Sequence, residues 1–451
     1  MKIEQVLQAL EGARGVNDWL VRHIRAESTQ YYLAKDEPEN SRAAATERIE
    51  VEVYNDHPGR GSGAQPSPGS TCRGSASLTL VPGDETRLSE RIGDGVFMAG
   101  LTDNPPYGLP GPAVYPQVLT ADRLLQREPV RIARQLADEL RQAVAGQPGI
   151  SLASAEFFVD RAEVTLRNSR GAQATREETS LLLDLVLLAR DARTGQETES
   201  HVEVRRRALE TVDLADLVRR QAQYARDTLQ AGEPATGRFP VIVSDDALAQ
   251  LLGGGRTSPL AFRSSAQAKY LRLSPWEVGG SVFGDAAPTG DPLTVYANAV
   301  LPWGTRSAAF DGDGLPGRRL LIIENGVLRS FWATQRYADY MHLPATGEFG
   351  NLEILPGSTP VAEMWEGGGT LYHIVAFSAM SPDPVTGNFV GEIRLGYERQ
   401  NGVIRPIKGG SLSGNLFADL APARLSQETV FLGNYLGPQA VRFPALTISG
   451  K

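Results

Sequence analysis

The chain has 451 residues, 22% of them charged and 41% hydrophobic, which is enough for a sizeable core; at about 150 residues per domain it should hold two or three units. Its 45 Lys and Arg stand against 53 Asp and Glu, a formal net charge of -8, so the basic excess that usually drives nucleic-acid binding is missing. A single cysteine, Cys72, excludes an internal disulfide framework and fits a reducing compartment. Glycine and proline (47 and 29) make up about 17% of the chain against a usual ~12%, favouring a turn-rich and strand-rich fold over a helical bundle.

In chain order, residues 1 to about 34 read as helical, with Ile3, Val6, Leu7, Leu10 and then Leu20 and Ile24 at helical spacing around Gly12 and Gly15. Glu4 and Glu11 interrupt any apolar leader, so no secretory signal is expected. Residues 47–54 alternate Ile49, Val51 and Val53 with charged neighbours, the pattern of a half-buried strand. A Gly-, Pro- and Ser-rich stretch over 57–74 predicts a loop, 75–81 resumes as a strand, and the Pro-rich residues 104–116 form a connector.

Residues 130–144 carry Ile132, Leu136, Leu140 and Val144 on one stripe, an amphipathic helix. Three strands over 159–167, 179–190 and 199–207 make a meander. The apolar run 181–189 would also suit a buried helix, but the turn glycines Gly171 and Gly195 favour a strand. That run contains Asp184 and is far below the roughly 20 residues needed to span a bilayer, so a cytoplasmic protein without membrane attachment is expected. Asp213 caps a helix that Gly232 and Pro234 stop. Beyond Arg238 the texture turns to short strands, with Asn325-Gly326 and Asn401-Gly402 as hairpin signals. The expected fold class is α+β: a mixed N-terminal half of helices and antiparallel meanders, then a β-rich C-terminal domain.

Local chemistry is sparse. The five histidines, His23, His57, His201, His342 and His373, include no pair within ten residues, so none forms a local metal-ligand pair. His201 fits a solvated strand face, His57 a surface loop, and Cys72 an incidental thiol. The glycines at 59–63 precede no Lys-Ser/Thr of a phosphate loop, and Asp311-Gly312-Asp313-Gly314 lacks the later acids of a calcium loop, so it reads as a tight acidic turn. Residues 410–414 do not make a G-x-S-x-G nucleophile elbow.

One ordered series of motifs stands out. Residues 310–328 read FDGDGLPGRRLLIIENGVL. They are followed by Ala345-Thr346-Gly347, Leu355-Pro356-Gly357, residues 384–389 (PVTGNF), 401–404 (NGVI), 406–409 (PIKG) and 413–416 (SGNL). This series resembles the TldD/TldE (PmbA) family, with 237–252 and 165–171 similar to its entry and middle regions. The resemblance covers most of 130–451. It implies a division into a divergent N-terminal α/β region (1–125), a middle α+β region (126–236) and a C-terminal TldD/PmbA-type domain (237–451). It marks Asp311, Asp313, Gly314, Pro316, Glu324, Asn325, Gly326, Thr386, Gly387, Gly414 and Asn415 as family-motif positions, structural or chamber-lining.

TldD-type members are zinc metallopeptidases whose H-E-x-x-x-H motif follows the stretch that here is 241–252. Residues 253–258 of this chain read GGGRTS, so Gly253, Gly254 and Ser258 stand at degenerate zinc-motif positions, and no cysteine follows Cys72. The resemblance is therefore to the TldE side. It implies a chain without catalytic or metal-binding residues and without a cofactor of its own, paired with a TldD-like partner that supplies zinc and the general base for cleaving small or unfolded peptides. The alternatives are a homo-oligomeric peptide-binding or regulatory protein and, less favoured, a peptidase with relocated ligands at His342 or His373. Gly317 departs from the family turn, which carries threonine there.

Overall fold

The first helix is short. In the computed structural model, which describes residues 1–59, 70–253 and 258–450, α1 (Ile3–Glu11) buries Ile3, Val6 and Leu10 and stops at Gly12, ahead of Gly15 at φ +87. The helical reading up to residue 34 is thus corrected: β1 (Asp18–Ala34) occupies the rest. Leu20 and Ile24, four apart, share a strand face as readily as a helix face. The β-branched and aromatic residues Val21, Thr29, Tyr31 and Tyr32 then favour the strand. Partner strands on both sides complete it, pairing Leu20 with both Glu52 and Asn168.

Two successive units repeat a helix–meander–helix order. The first is α1, β1, β2 (Glu37–Pro58), β3 (Thr71–Leu80) and α2 (Leu88–Ala99). After the short α3 (Arg123–Arg127) come α4 (Pro129–Ala145), β4 (Ile150–Asn168), β5 (Gln173–Arg190), β6 (Glu197–Arg206) and α5 (Leu214–Gln230). The Gly- and Pro-rich stretch is narrower than its composition suggests, since β2 runs through Pro58 and β3 starts at Thr71; its centre, 60–69, lies outside the described residues. Because β1 pairs with both β2 and β4, the meanders fuse into one six-stranded antiparallel sheet, β3-β2-β1-β4-β5-β6.

Strand alternation gives this sheet two faces. One carries Val21, Val51, Val53 and Leu78 under α1 and α2, then Leu33, Phe157, Leu183 and Leu185 under α4 and α5. On the other face Leu20, Tyr54, Val164 and Leu166 meet Phe310 from the C-terminal half, while further along the small residues Ala26, Ala44 and Ala162 leave room.

The C-terminal half opens with β7 (Gly237–Ser244), α6 (Asp245–Leu252), α7 (Pro259–Arg263) and α8 (Ala266–Tyr270). It continues through β8 (Val295–Asn298), β9 (Arg319–Glu324), β10 (Val327–Leu328), α9 (Gln335–Met341) and β11 (Asn351–Ile354). Then follow β12 (Leu371–Pro382), β13 (Asn388–Gln400), β14 (Val403–Ile407), β15 (Ser411–Asn415), α10 (Leu416–Leu420) and β16 (Arg424–Leu425), and last β17 (Thr429–Phe431), β18 (Tyr435–Pro438) and β19 (Ala440–Ser449). One sheet runs β10-β9-β8-β11-β18-β17. In the other, β12-β7-β19-β15-β13 closes on itself because β13 also pairs with β12, so the strands form a barrel that hides their edges. Asn325-Gly326 and Asn401-Gly402 are two-residue hairpin turns with every φ between +51 and +79, the conformation these residues tolerate. A shared core through Val241, Leu251, Ile322 and Phe443 joins barrel and sheet. The molecule is α+β, with the long sheet first and the barrel last.

Candidate functional site

The turn after Phe310 folds around a single carboxylate. Asp311 Oδ1 accepts main-chain N–H groups from Asp313, Gly314 and Leu315 at 3.0, 3.0 and 2.9 Å, while Oδ2 is buried without a hydrogen-bond partner. Burial, the neighbouring Asp313 and then Glu348 push the Asp311 carboxyl up to about 7, against the main-chain N–H groups that favour its ionised form. Three groups from the first half grip the carbonyls of the same turn. Arg22 Nη1 donates to Gly312 O at 2.8 Å, Tyr115 Oη to Gly314 O at 3.0 Å, and Arg176 Nη1 to Phe310 O. At Gly317 the backbone passes so close to its neighbour that a β-carbon would sit 2.2 Å from Ala308 O, so the glycine follows from local geometry.

A cavity of about 240 Å³ lies between this turn and the sheet, with Arg176, Glu178, Arg207, Asp311 and Glu348 in its wall. Arg207 is buried and fixed: Nη1 donates to Thr120 O and Glu178 Oε2, both at 3.3 Å, and Nη2 to Thr305 O and Ser307 O at 2.9 and 3.2 Å. Glu178, Arg207 and Thr305 also border a groove of about 480 Å³ on the open face of the sheet, floored by Ala26, Ala44 and Ala162. Asp160 stands in that groove, its carboxyl raised by burial against the opposing pull of Ser28 and Arg205. Sequence reasoning placed Asp311 here but missed Asp160, Arg176, Glu178 and Arg207. Their strand alternation was visible, yet which face stays open depends on a turn more than 100 residues later.

The degenerate zinc-motif positions lie elsewhere. Helix α6 ends at Leu252, Gly253 takes φ +70, and Ser258 is fully buried before α7 with its Oγ unpartnered; Gly254 is outside the described residues. Glycine main chain and a hydroxyl do not match the imidazole, thiolate and carboxylate donors that a zinc site uses. Among the described residues, no three His, Cys, Asp or Glu side chains meet in a metal-holding cluster. Near the start of α6, Ser244 Oγ lies 2.8 Å from Nε2 of His373, whose pKa burial lowers to about 4. Spacing alone did not reveal that pair.

The remaining predicted positions separate into two places. Glu324, Asn325 and Gly326 form a hairpin turn, with Glu324 in an exposed ion pair to Arg329 at 2.9 Å. Thr386, Gly387, Gly414 and Asn415 come together beside α10: Asn415 Nδ2 donates to Thr386 O at 3.0 Å, and its Oδ1 accepts from Ala418 N at 3.1 Å. Pro316 stays with the Asp311 turn. Of the histidines, His201 is an exposed partner of Asp184 at 3.0 Å, and His23 meets Glu47 at 2.7 Å; Cys72 is buried.

Residues 236–450 match the family model of the PmbA/TldA metallopeptidase C-terminal domain. A protein of Methanocaldococcus jannaschii is 22% identical over 285 residues, 61% of this chain and 64% of its own. A zinc metalloprotease TldD homolog of Saccharolobus solfataricus is 21% identical over 288 residues, 60% of this chain and 63% of its own. Both matches span a little under two thirds of the relatives' length. The fold is similar to that of TldE from Thermococcus kodakarensis, with a TM-score of 0.81 at 18% identity, over 99% of this chain and 100% of that one. Among the described residues no helix is long and apolar enough to cross a membrane.

Proposed function

We propose, from the match of residues 236–450 to the PmbA/TldA metallopeptidase C-terminal domain, that this chain is a TldE-like, non-catalytic subunit of a zinc metallopeptidase acting on small or unfolded peptides. A TldD-like partner supplies zinc and the general base, and the pair works in the cytoplasm. The observation that carries this reading is at α6. Helix α6 stops at Leu252, and Gly253 and Ser258 stand where the resemblance puts the family's zinc ligands. The open groove beside Arg207 gives such a subunit a wall against which side chains of the sheet face can hold a peptide.

The test is a pull-down of the tagged full chain from its native lysate, with metal analysis of the chain alone and of what co-elutes. Recovery of a relative bearing H-E-x-x-x-H, together with peptide cleavage that a chelator abolishes only in the mixture, supports the proposal. Stoichiometric zinc in the isolated chain would sink it. Recovery of the chain alone, as a homo-oligomer that binds peptides without cleaving them, would replace it with a stand-alone peptide-binding protein.

A further inference from the structure

We propose that the cavity between Arg176, Arg207 and the turn at 310–317 binds a small carboxylate, either a free acid or the C-terminus of a peptide. The assignment concerns this chain's own residues and holds whether or not a zinc-bearing partner exists.

Three buried polar atoms on residues lining this cavity have no hydrogen-bond partner: Arg176 Nε, Arg207 Nε and Asp311 Oδ2. Arg207 and Asp311 are only 7% and 9% exposed. Buried polar groups are normally satisfied, so three orphans around one space point to a missing ligand. Arg176 Nε has a loose ion-pair contact to Glu178 Oε2 at 4.0 Å, beyond hydrogen-bond distance. Both guanidiniums are held by their other nitrogens, and Arg176 stacks 4.7 Å from the centre of the Phe310 ring, so little order remains to be imposed on binding.

The donor pattern selects the ligand. Arginine does not lose its proton, so both Nε atoms can only donate. Asp311 Oδ1 is taken by three main-chain N–H groups, which leaves Oδ2 to carry the proton of the neutral acid. A carboxylate accepts from all three and brings one negative charge. A dianionic phosphate would bring twice that charge beside Asp313 and Glu348, both of which already act on Asp311. A space of 240 Å³ holds a handful of heavy atoms, about eight waters' worth. A peptide would enter from the neighbouring groove, which shares Glu178, Arg207 and Thr305 with the cavity.

Titration calorimetry on the full chain tests this with N-acetylglycine against N-acetylglycinamide, its neutral counterpart, at pH 6. The expected result is saturable binding of the acid and at least a tenfold weaker response to the amide. Arg176→Gln should lose at least tenfold in affinity. Asp311→Asn keeps an oxygen for the three N–H groups and a permanent donor in place of Oδ2, so it tests the site without emptying the turn. Wild-type affinity should fall between pH 6 and 8 as Asp311 ionises, and this variant should flatten that fall. The charged and titratable groups around Asp311 are Asp313, Glu348, Glu178, Arg22, Arg176, Arg207, Arg306 and Tyr115. Tetra-alanine with a free C-terminus separates the sources: tighter binding than N-acetylglycine marks a peptide end, and weaker binding marks a free acid. Equal response to acid and amide, no saturable binding of either acid, or a wild-type pH profile in Asp311→Asn overturns the proposal.

Discussion

His373 ties stability to acidity. Its ring lies edge-on to Trp365 at 5.1 Å, and Ser244 Oγ is 2.8 Å from Nε2. Burial lowers its pKa from 6.5 to about 4. An unfolded chain takes up this proton near pH 6.5, while the folded one resists until about 4. Between those values the unfolded state binds more protons, so stability is full above 6.5 and falls as the pH drops towards 4. The shift corresponds to about 3 kcal/mol, trimmed by the solvent contact the ring keeps. Urea unfolding at pH 7 and pH 4.5 should show His373→Gln losing about 2–3 kcal/mol less than the wild type on acidification. Parallel losses in both proteins would mean that the ring protonates freely in the fold. Asp311 acts with the opposite sign: its raised pKa stabilises the folded state at low pH, and that contribution is lost as pH rises through about 7. Neither residue announced itself by spacing. Ser244 is 129 positions from His373, and what perturbs Asp311 is burial under a distant sheet.

Among the elements, the meander of β1, β2 and β3 is locked by one arginine. Arg73 of β3 donates to both oxygens of Asp56 at 2.7 and 2.8 Å and to Tyr107 O at 2.7 Å, and it lies 2.9 Å from Asp18 Oδ2. Asp18 is 2% exposed and keeps Arg170 as its other cation. Breaking a buried pair costs about 3–5 kcal/mol when it strands a charge, an upper bound here because Asp18 keeps Arg170 and the Asp56 side chain is 28% exposed. Arg73→Ala should lower the unfolding free energy by up to that amount, read as a lower urea midpoint at an unchanged slope. A loss under about 1 kcal/mol would class the cluster with exposed ion pairs. At this scale the sequence was most readable where a signal is local. The stripe of α4, the Asp213 cap, where the side chain accepts from Asp216 N at 2.9 Å, and both Asn-Gly turns lie where periodicity and turn chemistry put them. β1 was misread because Leu20 and Ile24 satisfy two periods at once. The pairing of β1 with β4 and the closure of β12 on β13 are long-range choices that no local pattern encodes.

For the whole molecule, the turn at 310–317 is one of several contacts that hold the two halves in register, beside Arg336 to Asn104 and Tyr397 to Asp227. Phe310 is 1% exposed among Leu20, Tyr54, Val164 and Leu166 of the sheet, with Tyr115 edge-on at 5.6 Å, and its own segment belongs to the C-terminal half. The same turn builds the wall of the cavity, so a ligand there would rest on contacts that also join the halves. Phe310→Ala removes the central apolar contact and should destabilise the protein by about 3–5 kcal/mol. The loss should be local as well as global. Amide exchange should quicken at the ends of β1 and β4 that meet the turn, around Leu20–Ile24 and Val164–Leu166, before it changes in the barrel strands β7 and β19, whose core lies elsewhere. Uniform acceleration across β7, β19 and the sheet would mean that the halves unfold as one cooperative body and that the turn merely adds to a common core. Acceleration confined to the junction would make the cavity the place where the two halves open, and ligand binding there should restore its protection.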